Sequence, residues 1–132
     1  MAFRQNNLTV ADVQDTISRS AFHQLYRPEV LDVDNDNATL KLRVSMCETF
    51  ERQPGTGQWH GGVLSSLVDI AGCYALLLVA SGPVLTLNFC TDYLRLATSD
   101  TLVAVAKVRR VGRTVGFVDV DIQNEANETV VT

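Results

Sequence analysis

The chain is poor in the residues from which metal centres and disulfide frameworks are built. It has three cysteines and two histidines in 132 residues, with no CxxC pair, so a Cys/His zinc site has little to draw on. An odd number of thiols suits a reducing compartment, which makes the cytoplasm the expected location. Excess positive charge is missing too: 11 Lys and Arg face 15 Asp and Glu, a net charge of −4. That excludes whole-surface attraction to nucleic acid or an anionic membrane, and any anionic ligand has to be met by a local basic cluster. The opening MAFRQNNLTV lacks the apolar core of a signal peptide. Proline is scarce at three residues while apolar residues make up 46%, a balance that excludes wholesale disorder and fits one domain over residues 1–132.

Only one hydrophobic run is long, Gly61 to Ala80, GGVLSSLVDIAGCYALLLVA. Asp69 near its centre costs roughly 3 kcal/mol on an insertion scale, and no Lys/Arg cluster flanks the run. A buried helix in a globular domain, without a membrane span, is the expectation. Around it the pattern changes. Thr9 followed by Asp12 signals a helix start, with Val10, Val13 and Ile17 at helical spacing and an expected end near Phe22. Val30 to Val33 reads as a short strand and Asp34 to Asn37 as a turn. From Ala38 to Met46 apolar and polar residues alternate, the mark of a half-buried antiparallel strand. ERQPGTGQW is a Gly/Pro loop leading into the long helix, which Ser81-Gly82-Pro83 ends. Further strands are expected at Val84–Leu94, Leu102–Val111 and Thr114–Asn124, the last two joined by a two-residue Gly112-Arg113 turn. Val103 and Val105, on the face opposite Leu102, Ala104 and Ala106, suggest a second subunit against the sheet.

Two features can carry chemistry. His60-Gly61-Gly62 opens the long helix, where unsatisfied N–H groups can polarise a carbonyl and glycine permits close approach. Asp69 is the one charged side chain between Gly61 and Ala80, and a carboxylate in an apolar helix is costly unless it is hydrogen-bonded or has a task. Eight residues separate Gly61 from Asp69, about 12 Å at the helical rise. Both cannot reach one carbonyl from the same chain, whereas two antiparallel copies of the helix related by a two-fold axis can. Composition leaves Asp69 equally open to a structural role, His60 to bracing the turn, and Cys73 to filling the core. Lys107 to Arg113 is the one basic cluster, read either as a solvated hairpin end or as a phosphate contact.

Three stretches, WHGGVLSSLVDIAGCYA, TLNFCTDYLRLA and VRRVGRTVGFVDVDI, in that order and spacing, resemble the hotdog-fold acyl-CoA thioesterases of the phenylacetyl-CoA and hydroxybenzoyl-CoA type. The resemblance runs from about Ser20 to Val131. Its most specific part is HGG with an acidic residue nine positions after the His, reinforced by the GRT hairpin. It implies an α+β hotdog fold, a long central helix wrapped by a curved antiparallel β-sheet, in homodimers or homotetramers with active sites at the dimer interface. It also implies hydrolysis of an acyl-CoA to a free acid and CoA, with no metal and no cofactor beyond the CoA of the substrate.

The resemblance assigns roles residue by residue. Asp69 is the catalytic carboxylate, nucleophile or general base for water. Gly61 supplies the N–H that polarises the thioester carbonyl, and Thr86 helps position the attacking water. His60 and Gly62 at the helix start, Tyr93 and Arg95 in the next segment, and Arg110, Gly112, Arg113 and Thr114 in the hairpin contact the substrate. Arg110 and Arg113 would meet the CoA phosphates. Where the family carries an Asn or Gln about six residues before the His, this chain has Pro54, and the role passes to Gln53, with Gln58 as the alternative. Leu96 stands where Pro is common, and with Thr132 soon after the start of the last strand, the family's usual closing stretch is expected to be short or missing. The rival readings are an acyl-CoA-binding hotdog module without catalysis, and a dehydratase or hydratase of the same fold. The HGG spacing disfavours the latter, which relies on a catalytic His paired with an acidic residue on the helix.

Overall fold

Each element begins where the side chains satisfy a chain end. The computed structural model describes residues 3–132. Helix α1, Val10–Ser18, opens with a capping box: the Asp12 N–H donates to Thr9 Oγ1 and the Thr9 N–H donates to the Asp12 carboxylate. Val13 and Ile17, one turn apart, are its buried residues. It stops short of the expected Phe22, because side chains take its last carbonyls: His23 Nδ1 lies 3.0 Å from the Ile17 oxygen, and Gln24 donates to that of Ser18. His23–Tyr26 then form a separate turn, α2, ended by Arg27 in the left-handed region at φ 46°.

Strand β1, Glu29–Asp34, leads through a turn into β2, Thr39–Ser45. The Asp34 carboxylate closes that turn by accepting from the Asn37 N–H at 3.0 Å and Nδ2 at 2.7 Å. Ala38, expected as the first strand residue, belongs to the turn at φ 49°. The alternation of β2 is as expected, with Leu40, Leu42 and Val44 buried and Lys41 exposed. A short 3₁₀ turn at Glu48–Phe50 precedes the long helix α3, Gly61–Leu77. Strands β3, Thr101–Val111, β4, Gly116–Gln123, and β5, Thr129–Val131, complete an antiparallel sheet in the order β1-β2-β3-β4-β5.

This is the α+β hotdog arrangement: α3 packs on one face of the sheet, chiefly on β3, β4 and β2. Leu64, Leu67, Val68, Ile70, Ala71 and Ala75 of the helix meet an inner sheet face made of Leu40, Leu42, Leu102, Ala104, Ala106 and Ile122. Small residues on both sides let the backbones approach, while each fully buried Leu contributes about 1.5–3 kcal/mol. Tyr26, Phe50 and Trp59 stack in series at the helix entrance, and Trp59 Nε1 donates to the Ser99 carbonyl at 2.8 Å. No helix among the described residues is long and apolar enough to cross a membrane.

Three further expectations need correction. α3 ends at Leu77, not Ala80, because residues 78–80 tighten and Asn6 Nδ2 takes the freed carbonyls, donating to Leu77 at 2.8 Å and Ala80 at 2.7 Å. The β3–β4 loop is longer than two residues. Val111 pairs with Gly116 and the Gly112 N–H donates to the Val115 carbonyl at 2.8 Å, so β4 starts at Gly116 and not at Thr114. Val103, between cross-strand Arg43 and Gln123, and Val105, between Lys41 and Asp121, lie on the face read as meeting a second subunit and are half-buried in the single chain.

The last correction concerns Val84–Leu94, which forms no ladder over most of its length. Asp92 exchanges both backbone bonds with Thr132, and Leu94 donates to Val130 at 2.9 Å. Residues 84–91 have no strand beside them among the described residues, and a strand exists only against a neighbour.

Asn6 ties the N-terminal segment to the end of the main helix. Asn6→Ala should lower stability by about 1–3 kcal/mol, since both carbonyls lose their donor. Urea denaturation with an unchanged slope would register this, and a midpoint equal to the wild type would deny the clasp.

Candidate active site

At the start of α3, His60 is the N-cap, and its Nδ1 accepts from the Gly62 N–H at 2.9 Å. That bond requires the proton on Nε2 when the ring is neutral. His60 thus caps the helix, the plainer reading of that residue, through its bond to Gly62. The Gly61 N–H is left over. It makes no hydrogen bond among the described residues, so it is the donor a carbonyl oxygen can use. The Tyr93 hydroxyl donates to the Gly61 carbonyl at 2.9 Å and meets Ser65 Oγ. A Cβ on residue 61 would lie 3.5 Å from the Tyr93 ring. Tyr93 therefore braces the first turn of α3.

Two turns along, Asp69 is half-buried in a wall of apolar residues. Thr86 Oγ1 donates to its Oδ1 at 2.5 Å, the short range of a hydroxyl on a carboxylate. Asp69 Oδ2 has no partner among the described residues, leaving one oxygen free. Cys73, one turn on, places its sulfur 3.2 Å from Thr86 Oγ1 and 4.0 Å from Asp69 Oδ1. Burial raises the Cys73 thiol above its usual range. The Asp69 charge adds to this, and only a hydrogen bond donated to the sulfur by Thr86 would work against it.

Asp69, Cys73 and Thr86 lie in the wall of an open groove of about 780 Å³ between α3, β4 and the extended 84–90 segment. Thr114 also reaches this groove, and Phe117 and Leu85 supply apolar lining. Gly61, His60, Gly62 and Gln53 are not part of it. Within one chain the expected donor and the expected carboxylate thus stand at separate places on the helix, as their spacing requires.

The remaining expected contacts divide. Gln53 is exposed near the tip of its loop, where its carbonyl accepts from Thr56 N and Oγ1, and no contact brings it to Asp69. Gln58 is half-buried, its carbonyl accepting from Arg52 N at 2.7 Å. Arg95 is occupied by an ion pair with Glu128, and Arg109 by Asp119 at 3.3 Å. Arg110 and Arg113 are exposed and have no ion-pair partner among the described residues. Gly112 is committed to closing the hairpin. A smaller hollow near α2 is lined by Gln14, His23 and Gln24, but these already bond the backbone of Pro28, Ile17 and Ser18. The residue that reading the sequence underrated is Cys73. Its four-residue spacing from Asp69 was visible, but its contact with Thr86 depends on where the 84–90 segment runs.

Comparison with known proteins agrees with this layout. Residues 56–131, well over half of the chain, match the family model of the thioesterase superfamily. A Halobacterium salinarum protein named as an esterase is 34% identical over 99 residues, covering 71% of this chain and 65% of that protein. The Escherichia coli acyl-coenzyme A thioesterase PaaI is 38% identical over 89 residues, 66% of this chain and 62% of its own length. The matches thus span just under two thirds of either relative. The crystal structure of a Haemophilus influenzae thioesterase superposes with a TM-score of 0.83 at 24% identity, covering 99% of this chain and 89% of that one. With the HGG helix start, the acidic residue two turns on and the family match all falling on one frame, this chain belongs to the thioesterase superfamily.

Proposed function

We propose that the protein is a cytoplasmic acyl-CoA thioesterase, residues 1–132 acting as one unit, that hydrolyses its substrate to a free acid and CoA. The carrying observation is Asp69, held at one oxygen by Thr86 and open at the other, in the wall of an open groove. Asp69 either takes a proton from water as it attacks the carbonyl carbon, or attacks that carbon itself to give an anhydride that water then opens. The C–S bond breaks in either route, and CoA leaves as thiolate. Negative charge gathering on the carbonyl oxygen is met by the Gly61 N–H. CoA belongs to the substrate, and the reaction calls for no further cofactor.

The acting unit is a homodimer in which Gly61 of one copy faces Asp69 of the other. Support comes from the separation of the two groups along α3 and from the 84–90 segment beside Asp69. Leu85 and Leu87 there are 91% and 78% exposed in the single chain, an apolar edge that a second copy would cover. Arg110 and Arg113, both unpaired and exposed, would hold the CoA phosphates. Arg95 and Tyr93 enter as neighbours of that path, and Gln53 as a loop contact that forms on substrate binding.

Three outcomes test this reading. Free-thiol release from a panel of aromatic, aliphatic and polar acyl-CoAs should show turnover of at least one member. Asp69→Asn should reduce it by about a hundredfold or more with the oligomer intact. Tight acyl-CoA binding with equal, trivial rates in both proteins would instead establish a binding module. Arg110→Ala and Arg113→Ala should each raise KM roughly tenfold with little change in kcat, the effect shrinking at high salt; equal KM values would remove them from the CoA site. Leu85→Asp with Leu87→Asp should yield monomers in analytical ultracentrifugation and abolish turnover, and an active monomer would refute a shared site.

A further inference from the structure

Thr86 makes two hydrogen-bond contacts and has one proton. An ionised carboxylate only accepts, so that proton goes to Asp69 Oδ1 at 2.5 Å. Toward the sulfur 3.2 Å away, the Thr86 oxygen can then only accept. The donor must be Cys73, whose one S–H proton has two acceptors in reach, Thr86 Oγ1 at 3.2 Å and Asp69 Oδ1 at 4.0 Å, and the shorter contact takes it. We infer that Cys73 is a positioning residue, whose S–H donates to Thr86 Oγ1 and so keeps the Thr86 hydroxyl turned toward Asp69. This rests on the thioesterase reading for its consequence in catalysis, though the hydrogen bond itself does not.

The surroundings support the assignment. In the single chain Thr86 is exposed on a segment with no ladder to hold it, so its rotamer depends on the side chains it meets. α3 supplies both of them, one turn apart. Burial and the nearby Asp69 charge keep the thiol protonated, the form a donor needs. A thiolate would set a second negative charge 4.0 Å from the Asp69 carboxylate oxygen and take away the donor, so the sulfur serves as a hydrogen-bond group and not as a nucleophile. Cys73 does not touch the substrate in this scheme. It acts on the group that holds the catalytic carboxylate.

Kinetics and spectroscopy separate the outcomes. Cys73→Ala should lower kcat about fivefold, the loss of one modest hydrogen bond, with KM changed less than about twofold. Cys73→Ser, which keeps a donor, should recover most of that loss. An Ala variant with full kcat, or a Ser variant as slow as Ala, overturns the role. Independently of turnover, the S–H stretching band of Cys73 can be read in the infrared with Cys47→Ser and Cys90→Ser removing the other thiols. The band should shift when Thr86→Val deletes the acceptor, and a band that stays put overturns the bond. If the wild type cleaves no acyl-CoA, the thioesterase reading fails, while the infrared band still decides whether Cys73 holds Thr86.

Discussion

Burial of one apolar helix against one sheet is the constraint from which everything else follows. α3 carries its buried residues through Leu64, Leu67, Ile70, Ala71 and Ala75, and a helix so apolar has no stable place except under the sheet. Once it is there, its start must open where Trp59 and Phe50 anchor the preceding loop. Its end must be finished by side chains from elsewhere, which Asn6 provides. Asp69 then faces the groove, where the Thr86 hydroxyl on the segment that follows the helix donates to it. The site is a by-product of seating the helix, refined by a handful of polar contacts.

The two longer helices and most strands were legible because their signals are local. The capping box at Thr9 and Asp12, the alternation through β2, and the apolar run of α3 each need only a few neighbours in sequence to be read. What failed was decided at a distance. α1 stops early because His23 and Gln24 reach back to it. Val84–Leu94 has the composition of a strand, but strand status depends on an adjacent backbone that composition does not encode.

The candidate site divides along the same line. Asp69 and Gly61 stood out because an acid inside an apolar helix and paired glycines at its start are conspicuous in the chain itself. His60 could be read as a cap from its position alone, and the bond to Gly62 agrees. Tyr93, grouped with the substrate contacts, also has its hydroxyl on the Gly61 carbonyl and Ser65. Cys73 was assigned to the core, yet half of it faces Thr86 and Asp69. In both cases residue type and spacing were informative about the element and silent about which loop would cross it.

The open edge at residues 84–91 bears on how the chain survives before it reaches any steady state. Newly made copies carry Leu85, Leu87 and Phe89 outward beside unpaired backbone groups, a combination that will add to whatever free edge it meets first. Correct encounter and aggregation therefore compete for the same surface, and both speed up with concentration. Expression level, growth temperature and access to chaperones should then set the yield of well-formed protein more strongly than the packing of the core does.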